Sequence, residues 1–418
     1  MSREDNQAVV LSGGGANGAY EVGVLQALLE GASPATGKKP LSPNVLTGAS
    51  IGAFNAAVLT PYLPPNPVQG VEELKRIWLD LIPRDYASTN NHVFRFRADP
   101  WDFFSPRLLL KNPLLPVRTL AEDSIFFVQN WLSSAARALD SRGSFAVRLA
   151  GLIDFSLLIS NEPSVRLVRS VIKPRAISAS PVKLRLAATN WDTGVIRVFE
   201  NRDMTDAYAE KIVLSSAATP AMFPPVVIDG DTYVDGGLLM NTPLLPAIRA
   251  LRAVHNEASK DEPDKPDTLH LIYLDPDVKS IPVSSLHSTL DTLARMFVVQ
   301  FAAKMNEDIR RAAMVNRGVA QMEAPLNDQN ASAKKQRDSF KQVAGVSGLR
   351  PMVIHRYHPH DDVGSGILGY LGYSRERIAQ LIERGYRDGK EHDCERSQCV
   401  QADGKISGSV PQDMELEH

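Results

Sequence analysis

Cysteine is nearly missing from this chain: Cys394 and Cys399 are the two it has in 418 residues. Two thiols alone cannot fill a four-coordinate structural zinc site. They lie in a polar stretch near the end and read as surface thiols, with a local disulfide as the alternative. Long apolar runs are missing too. None reaches the roughly 18 residues that a membrane span needs, and the best candidate, "FAVRLAGLIDFSLLIS", is interrupted by Arg148 and Asp154. The opening "MSREDNQ" is polar and runs straight into an apolar strand, so no signal peptide is expected. The expected location is cytoplasmic, and peripheral contact with a membrane is compatible with it. Neither sign of charge dominates, with 46 Lys and Arg against 48 Asp and Glu. A nucleic-acid partner needs a basic face, so none is expected.

The hydrophobic patterning is that of a globular α/β chain, 44% hydrophobic and 22% charged. "QAVVLSGGG" reads as a buried strand ending in a glycine turn. Gly18, Val22, Leu25 and Leu29 then recur at helical spacing. "NVLTGAS" and "IGAFNAAVL" repeat the strand and helix. This alternation predicts a mainly parallel sheet covered by helices on both faces. Further strands are expected at "VKLRLAATN", "VIRVFEN", "PPVVIDGDTYVDGG", "LHLIYLD" and "PMVIHRYHP". Residues 284–318 and "SRERIAQLIERGYRDG" read as helical. Residues 83–145 show no clean period but concentrate aromatics, among them Phe94, Phe96, Trp101 and Trp131. They read as an insertion that is either a lid or core packing.

The stretch "TGASIG" carries the first chemical signal. A Gly-x-Ser-x-Gly turn between strand and helix, here Gly48, Ser50 and Gly52, lifts a serine hydroxyl out of the sheet on a cramped bend. The N-terminus of the following helix offers N–H groups to a developing negative charge. Ser50 therefore reads as an acyl-transfer nucleophile. The second signal is "SGGGANG". Gly13, Gly15 and Gly18 match a dinucleotide fingerprint, but the second strand ends in Thr47-Gly48-Ala49-Ser50, with no carboxylate for a ribose. The alternative is an oxyanion hole made of backbone N–H groups. A base must also be found. His355, His358 and His360 sit by the last strand, where a triad histidine could arise. Asp235 ends an earlier strand with Gly236 and Gly237 behind it, and a buried carboxylate is basic enough to take a serine proton.

Together, Gly-Gly-Gly-x-x-Gly, Gly-x-Ser-x-Gly and the late Asp-Gly-Gly resemble the patatin-like phospholipase family, as does "SSAATPAMFPPV" before the aspartate strand. The resemblance covers about residues 8–250. It implies a three-layer α/β/α fold with a helical C-terminal extension and a lipid acyl hydrolase using a Ser50–Asp235 dyad and an acyl-enzyme. Gly13, Gly14, Gly15, Ala16 and Gly18 would form the oxyanion hole, supported by Gly48, Gly52, Gly236 and Gly237, with no cofactor and no metal. The expected partner is a lipid or acyl-ester substrate. Family members usually carry Arg or Lys where this chain has Asn17, a substrate-contact position that here brings no charge. Residues 251–390 are expected as an α/β extension packed on the same domain. Residues 391–418 are expected as a polar tail whose closing Leu416-Glu417-His418 resembles a tag scar. The competing expectations are a Ser-His-Asp esterase and a non-catalytic lipid-binding scaffold.

Overall fold

Two short parallel strands organise the molecule, and the sequence explains both. β1 (Gln7–Leu11) and β2 (Val45–Ala49) are continuous apolar runs with almost no exposed side chain, as strands buried on both faces must be. The structure is a computed structural model and describes residues 6–83, 91–96, 159–220, 222–257, 266–274, 289–323, 350–360 and 370–408. Most of the aromatic-rich segment 83–145 therefore lies outside the described residues.

The helices, in chain order, are α1 (Gly18–Leu29), α2 (Ile51–Leu59), α3 (Pro67–Arg76), α4 (Glu162–Val171), α5 (Pro174–Ser178), α6 (Ala209–Ser216), α7 (Gly237–Met240), α8 (Leu244–Glu257), α9 (Thr289–Glu323) and α10 (Arg375–Lys390). The remaining strands are β3 (Arg95–Phe96), β4 (Ile159–Ser160), β5 (Lys183–Asn190), β6 (Val195–Glu200), β7 (Val226–Ile228), β8 (Asp231–Asp235), β9 (Asp267–Ile272) and β10 (Met352–Tyr357). β3 and β4 form a separate two-stranded pair. The main sheet runs β10-β9-β1-β2-β5-β8-β7, with β6 also on β5. From β10 to β5 every pairing is parallel; β6, β7 and β8 add antiparallel pairings.

Alternation along β1 divides the core between the two faces of the sheet. Val9 and Leu11 pack with residues of α1, α2 and α10, whereas Ala8 and Val10 pack with residues of α8, α9 and β10. The result is the three-layer α/β/α arrangement that the strand–helix alternation predicts. α1 and α10 touch backbone to backbone. A β-carbon on Gly23 would overlap the Ile382 carbonyl, and one on Gly385 would overlap that of Tyr20. Tyr20 donates a 3.0 Å hydrogen bond to Asp388 across the same contact. The C-terminal helix is thereby held against the helix that follows the glycine loop. Among the described residues, no helix is long and apolar enough to cross a membrane.

Residues 391–408 turn back onto the sheet. Val400 and Ile354 exchange backbone hydrogen bonds of 3.0 and 2.9 Å, and Cys399 and Val400 are completely buried. Cys399 is therefore not the surface thiol expected from its polar neighbours, and both cysteines are reduced.

Candidate active site

The site is assembled along one edge of β5. β6 occupies the other edge, pairing from Arg185 to Asn190. On the free edge β2 pairs in parallel as far as Ala49 opposite Ala187, and β8 begins where β2 stops, with Asp235 opposite Ala188. Two strands approaching from opposite directions thus end against adjacent residues of a third. The residue after Ala49 is Ser50, so this register sets serine and aspartate side by side although 185 residues separate them.

Ser50 Oγ donates to Asp235 Oδ2 at 2.7 Å. Ser50 has φ 53° and ψ −126°, a conformation that non-glycine residues adopt only when their surroundings impose it. The imposition is visible around it. A β-carbon at Gly48 would overlap the Gly52 carbonyl, and one at Gly52 would come within 2.7 Å of the Leu11 and Ser12 carbonyls. The Ser50 N–H is held by Ser216 Oγ at 3.0 Å, and Ser216 in turn donates to the Ala187 carbonyl at 2.6 Å.

Asp235 is buried and well supplied with donors. Thr219 Oγ1 donates to Oδ2 at 2.8 Å, and the Gly237 N–H donates to Oδ1 at 2.7 Å. Burial pushes the carboxyl up to about 6, and the bonds from Ser50, Gly237 and Thr219 oppose that rise. The group is therefore ionised at neutral pH while being far more basic than an exposed aspartate. Gly236 donates to the Ser216 carbonyl at 3.2 Å, which ties the turn after Asp235 to the segment supplying Thr219.

The glycine loop lies against the same serine. A β-carbon on Gly13 would sit 2.8 Å from Ser50 Cβ. Asn241 clamps this residue, its side-chain oxygen accepting from the Gly13 N–H at 3.1 Å and its amide donating to the Gly13 carbonyl at 3.3 Å. The Gly13 N–H is thus already engaged, and the Asn17 and Gly18 N–H groups close the turn that opens α1. The N–H groups of Gly14, Gly15 and Ala16 have no hydrogen-bond partner among the described residues. They are the donors this loop can offer to an incoming oxyanion. Gly15 has φ +57°, and a β-carbon there would lie 2.5 Å from the Tyr370 carbonyl. Gly18 packs on Ile51 at the start of α2, where a β-carbon would come within 2.6 Å.

Asn17 is buried, and its side-chain oxygen accepts from Arg377 Nη2 at 2.8 Å. A guanidinium from α10, 360 residues further along, thus stands beside Asn17. The histidines near the last strand make other contacts. His355 Nδ1 lies 3.4 Å from Cys394 Sγ, the His358 ring stacks on Tyr273 at 4.6 Å, and the His360 ring meets that of His358 edge-on at 4.6 Å. Thr219, Ser216, Asn241 and Arg377 are the residues that motif reading did not assign. Ser216 and Thr219 stand inside the "SSAATPAMFPPV" block, so their proximity to the aspartate strand was the available signal. Nothing local to Arg377 points to the loop.

The fold and this site define the class: a three-layer α/β protein with a serine–carboxylate pair and a glycine loop at one end of its sheet. Residues 9–248, more than half of the chain, match the model for "Patatin: Patatin-like phospholipase". The chain belongs to that family, whose members are lipid acyl hydrolases. Among curated proteins none matches the chain. Among solved structures, VipD from Legionella pneumophila is similar over 93% of this chain and 66% of that one, at 15% identity and a TM-score of 0.34. The chain therefore spans just under two thirds of VipD's length.

Proposed function

We propose that the chain cleaves carboxylic esters of lipids through a Ser50–Asp235 dyad and an acyl-enzyme. The 2.7 Å bond from Ser50 Oγ to Asp235 Oδ2 carries the reading. Asp235 takes the hydroxyl proton as Oγ attacks the ester carbonyl, and the tetrahedral oxyanion is met by the N–H groups of Gly14 and Gly15. Collapse expels the alcohol, which receives the proton back from Asp235. Water then attacks the acyl-enzyme by the same route, giving up a proton to Asp235, and collapse returns that proton to Ser50 Oγ as the fatty acid leaves.

The direct test is labelling with a fluorophosphonate followed by peptide mapping. The expected result is a single adduct on Ser50 that is lost in Ser50→Ala. His358→Ala and His360→Ala should keep most of the hydrolysis of a p-nitrophenyl acyl ester. Loss of turnover in either folded variant, with Asp235→Asn still active, returns the histidine triad. The guanidinium of Arg377 beside Asn17 supports an anionic phospholipid over a neutral ester. Arg377→Gln should lower the ratio of phosphatidylglycerol to neutral-ester hydrolysis by about tenfold, the value of a lost charge-assisted hydrogen bond. An unchanged ratio removes Arg377 from head-group recognition.

A further inference from the structure

Four side chains that bind transition metals converge at the far edge of the sheet from β7, and the catalytic reading has no use for them. His355 projects from β10; His392, Cys394 and Cys399 come from the segment after α10. Their ligand atoms all lie within 4.8 Å of one another. Cys394 Sγ is 3.4 Å from His355 Nδ1 and 3.6 Å from His392 Nε2, and Cys399 Sγ is 3.4 Å from His392 Nε2. With Zn–S near 2.3 Å and Zn–N near 2.0–2.1 Å, tetrahedral coordination sets sulfur and nitrogen about 3.6 Å apart. The three separations fit that edge length.

The surroundings are built to hold this geometry. The backbone of Cys399 returns to Cys394 through a 3.0 Å bond from its N–H to the Cys394 carbonyl, so the two thiols are presented from one closed turn. The Arg356 N–H donates to Cys399 Sγ at 3.4 Å, the kind of outer contact that supports a thiolate ligand. The His392 ring lies against Tyr357 with centroids 4.4 Å apart, and that of His355 stacks on buried His270 at 5.4 Å. Both imidazoles are therefore oriented by packing. The loop itself has no helix or strand, and its ladder contacts are two isolated bridges, Ile354 with Val400 and Val400 with Ile406. A metal joining His355 to the loop would staple residues 392–399 to β10.

We propose that His355, His392, Cys394 and Cys399 bind one zinc ion in a structural Cys₂His₂ site. Binding releases the thiol protons to solvent, as metal coordination by cysteine requires. Four protein ligands leave no open position for substrate or water, so the ion holds the C-terminal segment in place and takes no part in ester cleavage. The site lies on β10, three strands from β2 in the sheet order.

The test uses the full chain purified without chelator under reducing conditions. Elemental analysis should give about one zinc per chain, unchanged in Ser50→Ala. Stripped protein reloaded with cobalt(II) alone should show the intense visible bands of a tetrahedral site and a thiolate charge-transfer band. His355→Ala and Cys399→Ser should each lose most of the metal. The cobalt spectrum and metal content of the unmutated chain decide the matter even if a variant fails to fold. Metal-free protein that takes up neither zinc nor cobalt overturns the proposal. So does a purified chain lighter by two hydrogens, with Cys394 joined to Cys399 and no metal regained after reduction.

Discussion

Two carboxylates near the glycine loop are buried, Asp235 and Glu21, and their surroundings differ. Asp235 sits at the end of β8 and Glu21 in the first turn of α1, and each is almost or wholly inaccessible to solvent. Burial is the largest influence on both and raises both. Asp235 receives three donors, from Ser50, Thr219 and the Gly237 N–H. Glu21 receives Asn55 Nδ2 at 2.8 Å on Oε2, with the Ser12 backbone also opposing the rise, while its Oε1 is buried without a hydrogen bond. The Asp235 carboxyl consequently stays at about 6, whereas Glu21 is pushed well above the usual carboxylate range. Burial raises the basicity of both, and donors to the charged form oppose that rise. Asp235 is ionised and can accept a proton. Glu21 is pushed up by burial and belongs to a packing network in which Asn55 also accepts from Trp78 Nε1 at 2.9 Å and donates to the Gly18 carbonyl at 3.1 Å.

The largest expected effect removes the proposed base. Asp235→Asn and Ser50→Ala should each cut kcat by at least about 10⁴-fold, and the double variant should be no worse, because the two act as one unit. The same Asn variant should be more stable than the parent at pH 8. Asp235 has a folded value raised above its unfolded one, so its contribution is fully present below about pH 4 and is lost as pH rises through about 6. The stability difference between parent and variant should therefore open across that window, to at most about 3 kcal/mol. Thermal denaturation at pH 4 and pH 8 measures it, and a difference that does not change with pH contradicts the raised value.

Next in size is the glycine loop. Gly15→Val puts a branched side chain at a positive φ against the Tyr370 carbonyl. It should lower kcat about 100-fold with little change in KM, since the N–H groups act on the transition state. A change confined to KM would assign the loop to substrate binding instead.

The comparison is sharpened by taking one donor from Asp235. Thr219→Val removes its 2.8 Å bond and should move the acid limb of the kcat/KM profile up from pH 6 by about one unit, the value of one hydrogen bond to a charged group. Activity at pH 6 should drop several-fold while that at pH 8.5 recovers. An unmoved limb means that Thr219 does not set the base.

The smallest effect is expected at Glu21. Glu21→Gln replaces a buried carboxyl group by an amide of the same shape, so activity and stability at pH 7 should stay within about twofold and about 1 kcal/mol. A large loss of activity without loss of stability would give Glu21 a catalytic part that its position inside α1 does not suggest.

Much of the site was legible because its parts are short and local. The Gly48–Gly52 bend, the glycine loop and Asp235 before two glycines each announce a backbone path that few residues can follow, and the structure brings all three together. The apolar runs of β1 and β2, with helical periods after them, were enough to predict a parallel sheet. The contributions of Thr219, Ser216 and Asn241 were not legible, because each acts through a hydrogen bond to a residue on another element. Polar composition also hid the packing of residues 391–408. The burial of Cys399 and Val400 there depends on β10 lying underneath, which no local pattern in the segment reports.

By itself the sequence determined the alternation of strand and helix, the strained serine turn and the identity of the nucleophile and base candidates. These are properties of neighbouring residues, set by sterics and by apolar spacing. Tertiary structure decided what depends on register. β5 aligns the ends of β2 and β8, so that Ser50 meets Asp235, and three converging donors hold that carboxylate ionised. The glycine-backed contact of α1 with α10 brings the Arg377 guanidinium to Asn17. The reason is the same in each case: hydrogen bonds and desolvation act over a few ångströms in space, and only the folded chain fixes which residues fall within that distance.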